Sequence, residues 1–381
     1  MSNDYSKFKK TLIITLEFPP KIGGISSYID NFAKQLPSEK ITILAPKQKN
    51  SEKFDKDCKY KIIRKKMYWL LWPRWVKLFF LSLFIIKKEK IEQIYIHHAI
   101  PVGYITYAIK KIFKIPYTIF FHGTDLEYAT SKKLKKIKLK PIIKNAEKLI
   151  VNSEFLKNKL IERIEDIEEG KIKIIYPCPA DFFLKKVDPE IINNLKSKLA
   201  LNGKKIILTV GRMDEGKGYP HMIRVIPEIL KKVPNLVWII IGEGIKEKQI
   251  VEMVQKNNLQ NVVRFLGQMN YKELPKYYQL ADLFILLTHK DENKEEGWGT
   301  VFLEAGASEL AVVAGEVGGV KEVVNNMITG ILVNPYEDTQ VIGAISELLL
   351  QPDYAKQMGE KGKTRVKNIF TWEKQINKLL N

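Results

Sequence analysis

Residues 205–230 read KIILTVGRMDEGKGYPHMIRVIPEIL. The apolar, β-branched run Lys205–Val210 predicts a strand, Gly211 ends it, and after Lys217 and Gly218 the apolar residues return at helical spacing. A strand apolar on consecutive positions is buried on both faces, as in a parallel sheet covered by helices on each side. Working outward, the same pattern of short apolar run, Gly/Pro/Asn/Asp break and longer helical stretch recurs along the chain. It predicts strands at Leu236–Ile241, Val262–Leu266, Leu283–Leu287, Ala311–Ala314 and Ile331–Val333 downstream. Upstream it predicts Thr11–Thr15, Ile41–Ala45, Ile91–His97, Tyr117–Phe121, Lys148–Val151 and Lys171–Tyr176. Two such sets mean an α/β protein of two doubly wound, Rossmann-like domains, and 381 residues suit two domains of about 150 or more each. The stretch Pro177–Glu190 carries three prolines and no clear period, as a linker should, so the domains are expected over 1–183 and 190–366. Ligands of such folds bind outside the carboxyl ends of the strands.

Composition narrows the class. The chain is 45% hydrophobic and 28% charged, which excludes a disordered protein. Its two cysteines, Cys58 and Cys178, have no CxxC spacing or nearby histidine, so neither a disulfide framework nor a zinc site is expected and a reducing compartment fits. The polar start MSNDYSKFKK runs straight into TLIIT without a hydrophobic leader, so no secretory signal is expected. The formal charge is +20. Residues 1–180 hold 36 Lys and Arg against 18 Asp and Glu, a net of +18, while 181–381 hold 27 against 25, a net of +2. A partner drawn by positive charge, nucleic acid or an anionic membrane, therefore meets the N-terminal half.

Three loops carry chemistry. After the first strand, Gly23 and Gly24 precede a helix expected to open at Ser26 or Ser27; a tight turn and an anion-binding loop are equally good readings. In the opening stretch, Arg212 and Lys217 place a guanidinium fork and an ammonium at a strand's carboxyl end, a fit to a diphosphate, with surface salt bridging as the alternative. In EEGWGTVFLEAGASE, Glu296 sits in a loop, Gly297 and Gly299 lead into a helix starting near Thr300, and Glu304 lies in its second turn. Glycines there expose N–H donors to phosphate, and carboxylates accept from sugar or ribose hydroxyls. A solvated acidic loop is the plain reading of Glu296, whereas Glu304, among Val301, Phe302, Leu303 and Ala305, needs a partner if buried.

The set FPPKIGG, HGTD, VGRMDEGKG, IIGEG, EGWGTVFLEA and VAGEVGGVKEVV, in this order, resembles family 4 of the retaining GT-B glycosyltransferases, also called glycosyltransferase group 1, across essentially the whole chain. The closing FTWEKQINKLL resembles that family's last helix, which packs back on the first domain, here over 367–381. By position, the resemblance implies that Arg212 and Lys217 hold the donor diphosphate, Glu304 the ribose hydroxyls and Glu296 the donor sugar. Backbone amides at Gly23, Gly24, Trp298, Gly299, Thr300 and Val301 would complete the phosphate cradle. His122 would face the transferring sugar, Asp125 would contact acceptor or sugar or cap the next helix, and His97 and His98 would pack or line the acceptor side. Gly318, Gly319 and Glu322 would lie near the nucleotide. The chain departs from the family at Pro177-Cys178-Pro179, in place of an Asn-Gly turn, and at Glu309-Leu310-Ala311, in place of Gly-x-Pro. The resemblance implies transfer with retention, the leaving phosphate deprotonating the acceptor, with Arg212 and Lys217 in place of a metal and no cofactor. The one Asp-x-Asp, Asp55-Lys56-Asp57, lies in lysine-rich sequence read as a strandless, solvated loop.

Two basic segments point to a surface. Trp69, Trp72 and Trp75 lie among Arg64, Lys65, Lys66, Arg74 and Lys77, and the following apolar run Leu78–Ile86 is far short of the ~20 residues that span a bilayer. Its tail reads as a buried helix, and its Trp-rich start as an interfacial segment. A second cluster sets six lysines between Lys132 and Lys140, including Lys133, Lys135 and Lys136, around Leu134 and Ile137. The expectation is an enzyme peripheral to the inner face of the cytoplasmic membrane, acting on a lipid-linked or oligosaccharide acceptor. The FPPKIGGISSY loop resembles mannosyltransferases of phosphoinositol lipids, favouring GDP-mannose over UDP-glucose or UDP-N-acetylhexosamine. A sugar-nucleotide 2-epimerase of the same fold is the enzyme rival. A nucleic-acid-binding protein is the rival from another class, and it lacks a helix-turn-helix, RNP or zinc-finger signature. Oligomeric state is left open by the sequence.

Overall fold

The computed structural model describes residues 5–21, 23–68, 73, 75–291 and 295–380. They form two compact units, Met1–Pro177 with Trp372–Asn381, and Cys178–Thr371. The first holds β1 (Thr11–Ile14), β2 (Ile41–Pro46), β3 (Lys61–Lys65), β4 (Gln93–Ile96), β5 (Tyr117–Phe121), β6 (Lys148–Val151) and β7 (Ile172–Ile174). They make one parallel sheet in the order β3-β2-β1-β4-β5-β6-β7. The second holds β8 (Lys205–Val210), β9 (Leu236–Ile241), β10 (Val263–Phe265), β11 (Leu283–Leu286), β12 (Val312–Gly315) and β13 (Ile331–Val333), parallel in the order β10-β9-β8-β11-β12-β13. Each is a doubly wound sheet whose order reverses once, between β1 and β4 in one unit and between β8 and β11 in the other. Crevices at the carboxyl ends of those strand pairs are where ligands bind such sheets.

The continuous apolar strands are buried as their sequence requires: β5 and β9 are buried at every position, and Trp238 and Phe120 are 1% exposed. β3 was not expected. KIIRK is half-buried at its three central positions and exposed at the lysines on either end, because β3 is an edge strand, which tolerates lysines that a central strand would exclude. The stretch before it is not a solvated loop either. Ser51–Lys56 is a helical turn, and the Asp55 carboxylate takes Nε and Nη2 of Arg64 on β3, at 3.0 and 2.7 Å, while Arg64 also donates to Pro46 O. That fork pins the edge strand to the helical turn after β2.

The segment expected as a linker joins the second unit from Cys178 onward, because Phe183 is fully buried against Tyr278 and Val187 N donates to Gln279. Glu309, where the family carries glycine, adopts φ +62, a conformation that suits glycine, and its carboxylate pairs with Lys363 at 3.0 Å. The last helix, Trp372–Leu380, is held to the first sheet: Gln375 Oε1 accepts from Tyr176 N, Lys148 and Lys173 donate to the carbonyls of Leu379 and Lys378, and Trp372 packs on Tyr28.

Among the basic segments, Trp69 and Trp72 lie outside the described residues. Trp75 is half-buried against the first core and tilts on Tyr104 at 6.3 Å, so it packs rather than standing free at a surface. The helix Val76–Glu89 buries only Leu78, Ser82 and Ile85 and leaves Phe80 and Phe84 exposed, so it is half-buried rather than buried. No described helix is long and apolar enough to cross a membrane.

Candidate active site

In the second unit the site is built at the β8/β11 switch point. β8 delivers Gly211 and Arg212; Gly218, at φ +74, turns the chain into the helix Tyr219–Lys232 at a point where a Cβ would lie 2.0 Å from Leu287 O. Only glycine lets the turn sit on the end of β11, and the turn places Lys217 where its ammonium meets the Glu296 carboxylate in a short ion pair. Burial alone would raise the Glu296 pKa. The Lys217 charge and hydrogen bond, the Trp298 amide and the Arg212 charge outweigh it, and the carboxyl is held below its ordinary value, ionised at neutral pH. Arg212 itself is exposed, with Nη1 3.0 Å from Asp214. Surface pairing thus describes its guanidinium as it stands, while Lys217 is committed inward.

The loop after β11 descends through Gly297 and Gly299 into the helix Thr300–Ala307. Gly299 is at φ +88, where a Cβ would strike the Phe302 ring at 2.6 Å. The first amides of a helix lack acceptors within it, so those of Thr300 and Val301 are available as donors beside Lys217 and Glu296. The Trp298 side chain is buried on Phe370, 5.5 Å between centroids, and its amide supports Glu296. Gly318 and Gly319 back this loop: Cβ atoms there would fall 2.2 and 2.1 Å from the carbonyl oxygens of Glu296 and Gly297, and Gly319 N donates to Glu296 O. Glu304 is 4% exposed, and its two oxygens accept from Tyr271 and Tyr278, each at 2.9 Å. Burial raises its pKa to about 7 against the two phenol bonds that lower it. The buried carboxylate does have partners, and they are tyrosines 26 and 33 residues upstream that no spacing rule connects to it.

In the first unit, Gly23 and Gly24 follow β1, and the helix opens at Gly24, two or three residues before the expected Ser26 or Ser27. His122 follows β5. Its ring rests edge-on against Tyr28 at 5.1 Å and its Nε2 lies 3.1 Å from Nδ1 of His97. Burial and the neighbouring His98 push His122 down to about 3, so it is neutral in the working range. Asp125 is buried in the first turn of Thr124–Thr130 and accepts from His122 N at 2.8 Å, so it closes the turn that presents His122. Burial lifts its pKa to about 6 against backbone hydrogen bonds that lower it. His98, after β4, is held neutral by burial, down to about 4, and its Nδ1 accepts from Leu16 N at 3.4 Å. His97 is fully buried between Phe120, Phe32 and Tyr28.

Within one unit the structure thus brings together Arg212, Lys217, Glu296 and the 297–301 turn, and within the other His98, His122 and Asp125. Among the described residues no cluster of three His, Cys, Asp or Glu side chains offers a metal cage. Two doubly wound parallel sheets, with a cation and glycine loop in the second, define the GT-B class of glycosyltransferases. The second unit matches the model "Glycosyl transferases group 1" over residues 191–365 and the first matches "Glycosyltransferase Family 4" over residues 22–178. The chain belongs to this family and is a glycosyltransferase. Its relatives include a GDP-mannose-dependent alpha-(1-6)-phosphatidylinositol monomannoside mannosyltransferase of Mycobacterium tuberculosis, 24% identical over 97% of each chain. The corresponding monoacylated-substrate enzyme of Corynebacterium glutamicum is 25% identical over 99% of this chain and 98% of its own. HepE of Anabaena, solved with UDP, superposes with a TM-score of 0.81 at 18% identity, covering 97% of this chain and 99% of its own.

Proposed function

We propose that the protein transfers a hexosyl group, with retention of configuration, from a nucleotide-diphosphate sugar to a lipid-linked or glycan acceptor at the inner face of the cytoplasmic membrane, GDP-mannose being the favoured donor. The observation that carries this is the inward ion pair of Lys217 and Glu296 beside the glycine turn 297–301. Breaking the bond between the anomeric carbon and the phosphate oxygen leaves positive charge on the sugar and new negative charge on the diphosphate. Lys217, Arg212 and the helix amides stabilise that negative charge where it develops, without a metal in this reading. The acceptor hydroxyl forms the new glycosidic bond, and its proton passes to the departing phosphate oxygen. Glu296, ionised in the donor pocket, accepts from sugar hydroxyls, and Glu304 accepts from the ribose alongside its tyrosines.

The names of the full-length relatives support GDP-mannose and a phosphoinositol-type acceptor. Membrane contact is supported by exposed Leu134 and Ile137 among Lys132, Lys133, Lys135 and Lys136, and by exposed Phe80 and Phe84. The test is protein-observed binding and turnover against GDP-mannose, UDP-glucose, UDP-N-acetylglucosamine and ADP-glucose. GDP-mannose should bind most tightly, turnover should require an acceptor, and Lys217→Ala and Glu304→Ala should each abolish it. Retained turnover in those variants overturns the site assignment, and an inverted anomeric configuration by NMR overturns retention. Formation of an epimerised nucleotide sugar without acceptor would establish the 2-epimerase instead.

A further inference from the structure

His97 has no part in the reading above, yet it is the side chain that grips His122. The two imidazoles are nearly coplanar, 18° apart, with centroids separated by 5.3 Å but Nδ1 of His97 only 3.1 Å from Nε2 of His122. They therefore meet edge to edge through one N–H···N bond rather than face to face. His97 cannot swing away from it: Phe120 stacks on its face at 4.5 Å, and Tyr28 and Phe32 flank it at 6.0 and 6.1 Å. Burial and the adjacent imidazoles hold both rings neutral. One proton is therefore shared across the contact, and its position is decided at the far side of His97, where Nε2 is buried and has no hydrogen-bond partner among the described residues. An orphaned buried N–H is the rarer outcome, and the flanking rings stand too far off for their faces to receive one.

We propose that His97 is a positioning residue that donates from Nδ1 to His122 Nε2, and so holds His122 in its Nδ1–H form with that single N–H left to meet a substrate hydroxyl. Neutral histidine in water favours the other tautomer, so without His97 the ring would be free to rotate and to present a lone pair in place of a donor. The proposal rests on the reading that His122 meets the transferring sugar.

Nitrogen-15 NMR on histidine-labelled protein tests the proton placement without any reaction. With the five histidines assigned by single substitution, His97 and His122 should both carry their proton on Nδ1, with a scalar coupling across the N–H···N bond. A His122 proton on Nε2 overturns the proposal. The role is tested by two variants that separate packing from positioning. His97→Asn keeps an amide N–H where Nδ1 stands, and should retain turnover; His97→Phe fills the apolar pocket better, and should lower kcat by about ten- to a hundredfold with little change in donor KM. A Phe variant as active as wild type, or an Asn variant as inactive as Phe while folded, overturns it. If His122→Ala itself keeps full turnover, the site reading fails while the NMR result stands, so the two failures are distinguishable.

Discussion

Glu304 shows how much a single residue's setting decides. A carboxyl among apolar neighbours demands a partner, and the fold supplies two phenols where sequence spacing names none. Its pKa in the folded protein, about 7, stands above its ordinary 4.5, so the folded state binds the proton more tightly than the unfolded chain. The stability this contributes is present in full below pH 4.5 and is lost as pH rises through about 7. His122 and His98 act in the opposite sense. Held down to about 3 and 4 against an ordinary 6.5, they contribute stability above 6.5 that falls away in acid. The Glu304 effect is therefore isolated by difference: between about pH 5 and pH 8, Glu304→Gln should gain melting temperature relative to wild type. A constant difference across that range, by calorimetry, would show that Glu304 does not titrate there.

At the scale of elements, the functional loops are set by backbone contact as much as by side chains. Gly318 and Gly319 follow β12, yet their place is against the carbonyls of Glu296 and Gly297, so two loops form one layer with no room for a methyl group. Gly319→Ala should cost about 1–3 kcal/mol by overpacking, and weaken donor binding because the displaced loop carries Glu296. Gly343→Ala, in the helix Asp338–Leu350 with open space around it, is the matched control and should stabilise by up to about 1 kcal/mol. Chemical denaturation of both, with nucleotide titration, checks the pair. The apolar strands and the helix at Thr300 were legible because burial on both faces writes a continuous apolar run and glycines mark the helix start. β3 was not, since an edge strand with lysines at both ends looks like solvated chain until Arg64 is seen to fork onto Asp55.

For the molecule as a whole, charge and fold divide together. Nearly all of the +20 lies in residues 1–180, while residues 181–381 are close to balance at +2. Lys132 and Lys133 are exposed, and Lys135 lies over the Tyr128 ring at 3.3 Å, so the cluster mixes free charge with an aromatic anchor. Replacing Lys132, Lys133, Lys135 and Lys136 by Gln should weaken sedimentation with anionic vesicles, most strongly at low salt, while leaving nucleotide-sugar binding intact. Equal binding to neutral vesicles by wild type would remove the electrostatic basis of that surface.

The sequence by itself determined two parallel α/β sheets, the loops that follow β1, β5, β8 and β11, and the residue types that suit a diphosphate and sugar hydroxyls. These are written locally, in apolar runs, glycine breaks and helix starts a few residues apart. Tertiary structure alone decided which groups meet: Lys217 with Glu296, Glu304 with Tyr271 and Tyr278, His97 with His122, and the glycines after β12 with the loop after β11. Those partners lie 23 to 79 residues apart where hydrogen bonds join them. No short-range pattern encodes such contacts, because they exist only once neighbouring strands have paired and carried their loops to the same end of the sheet.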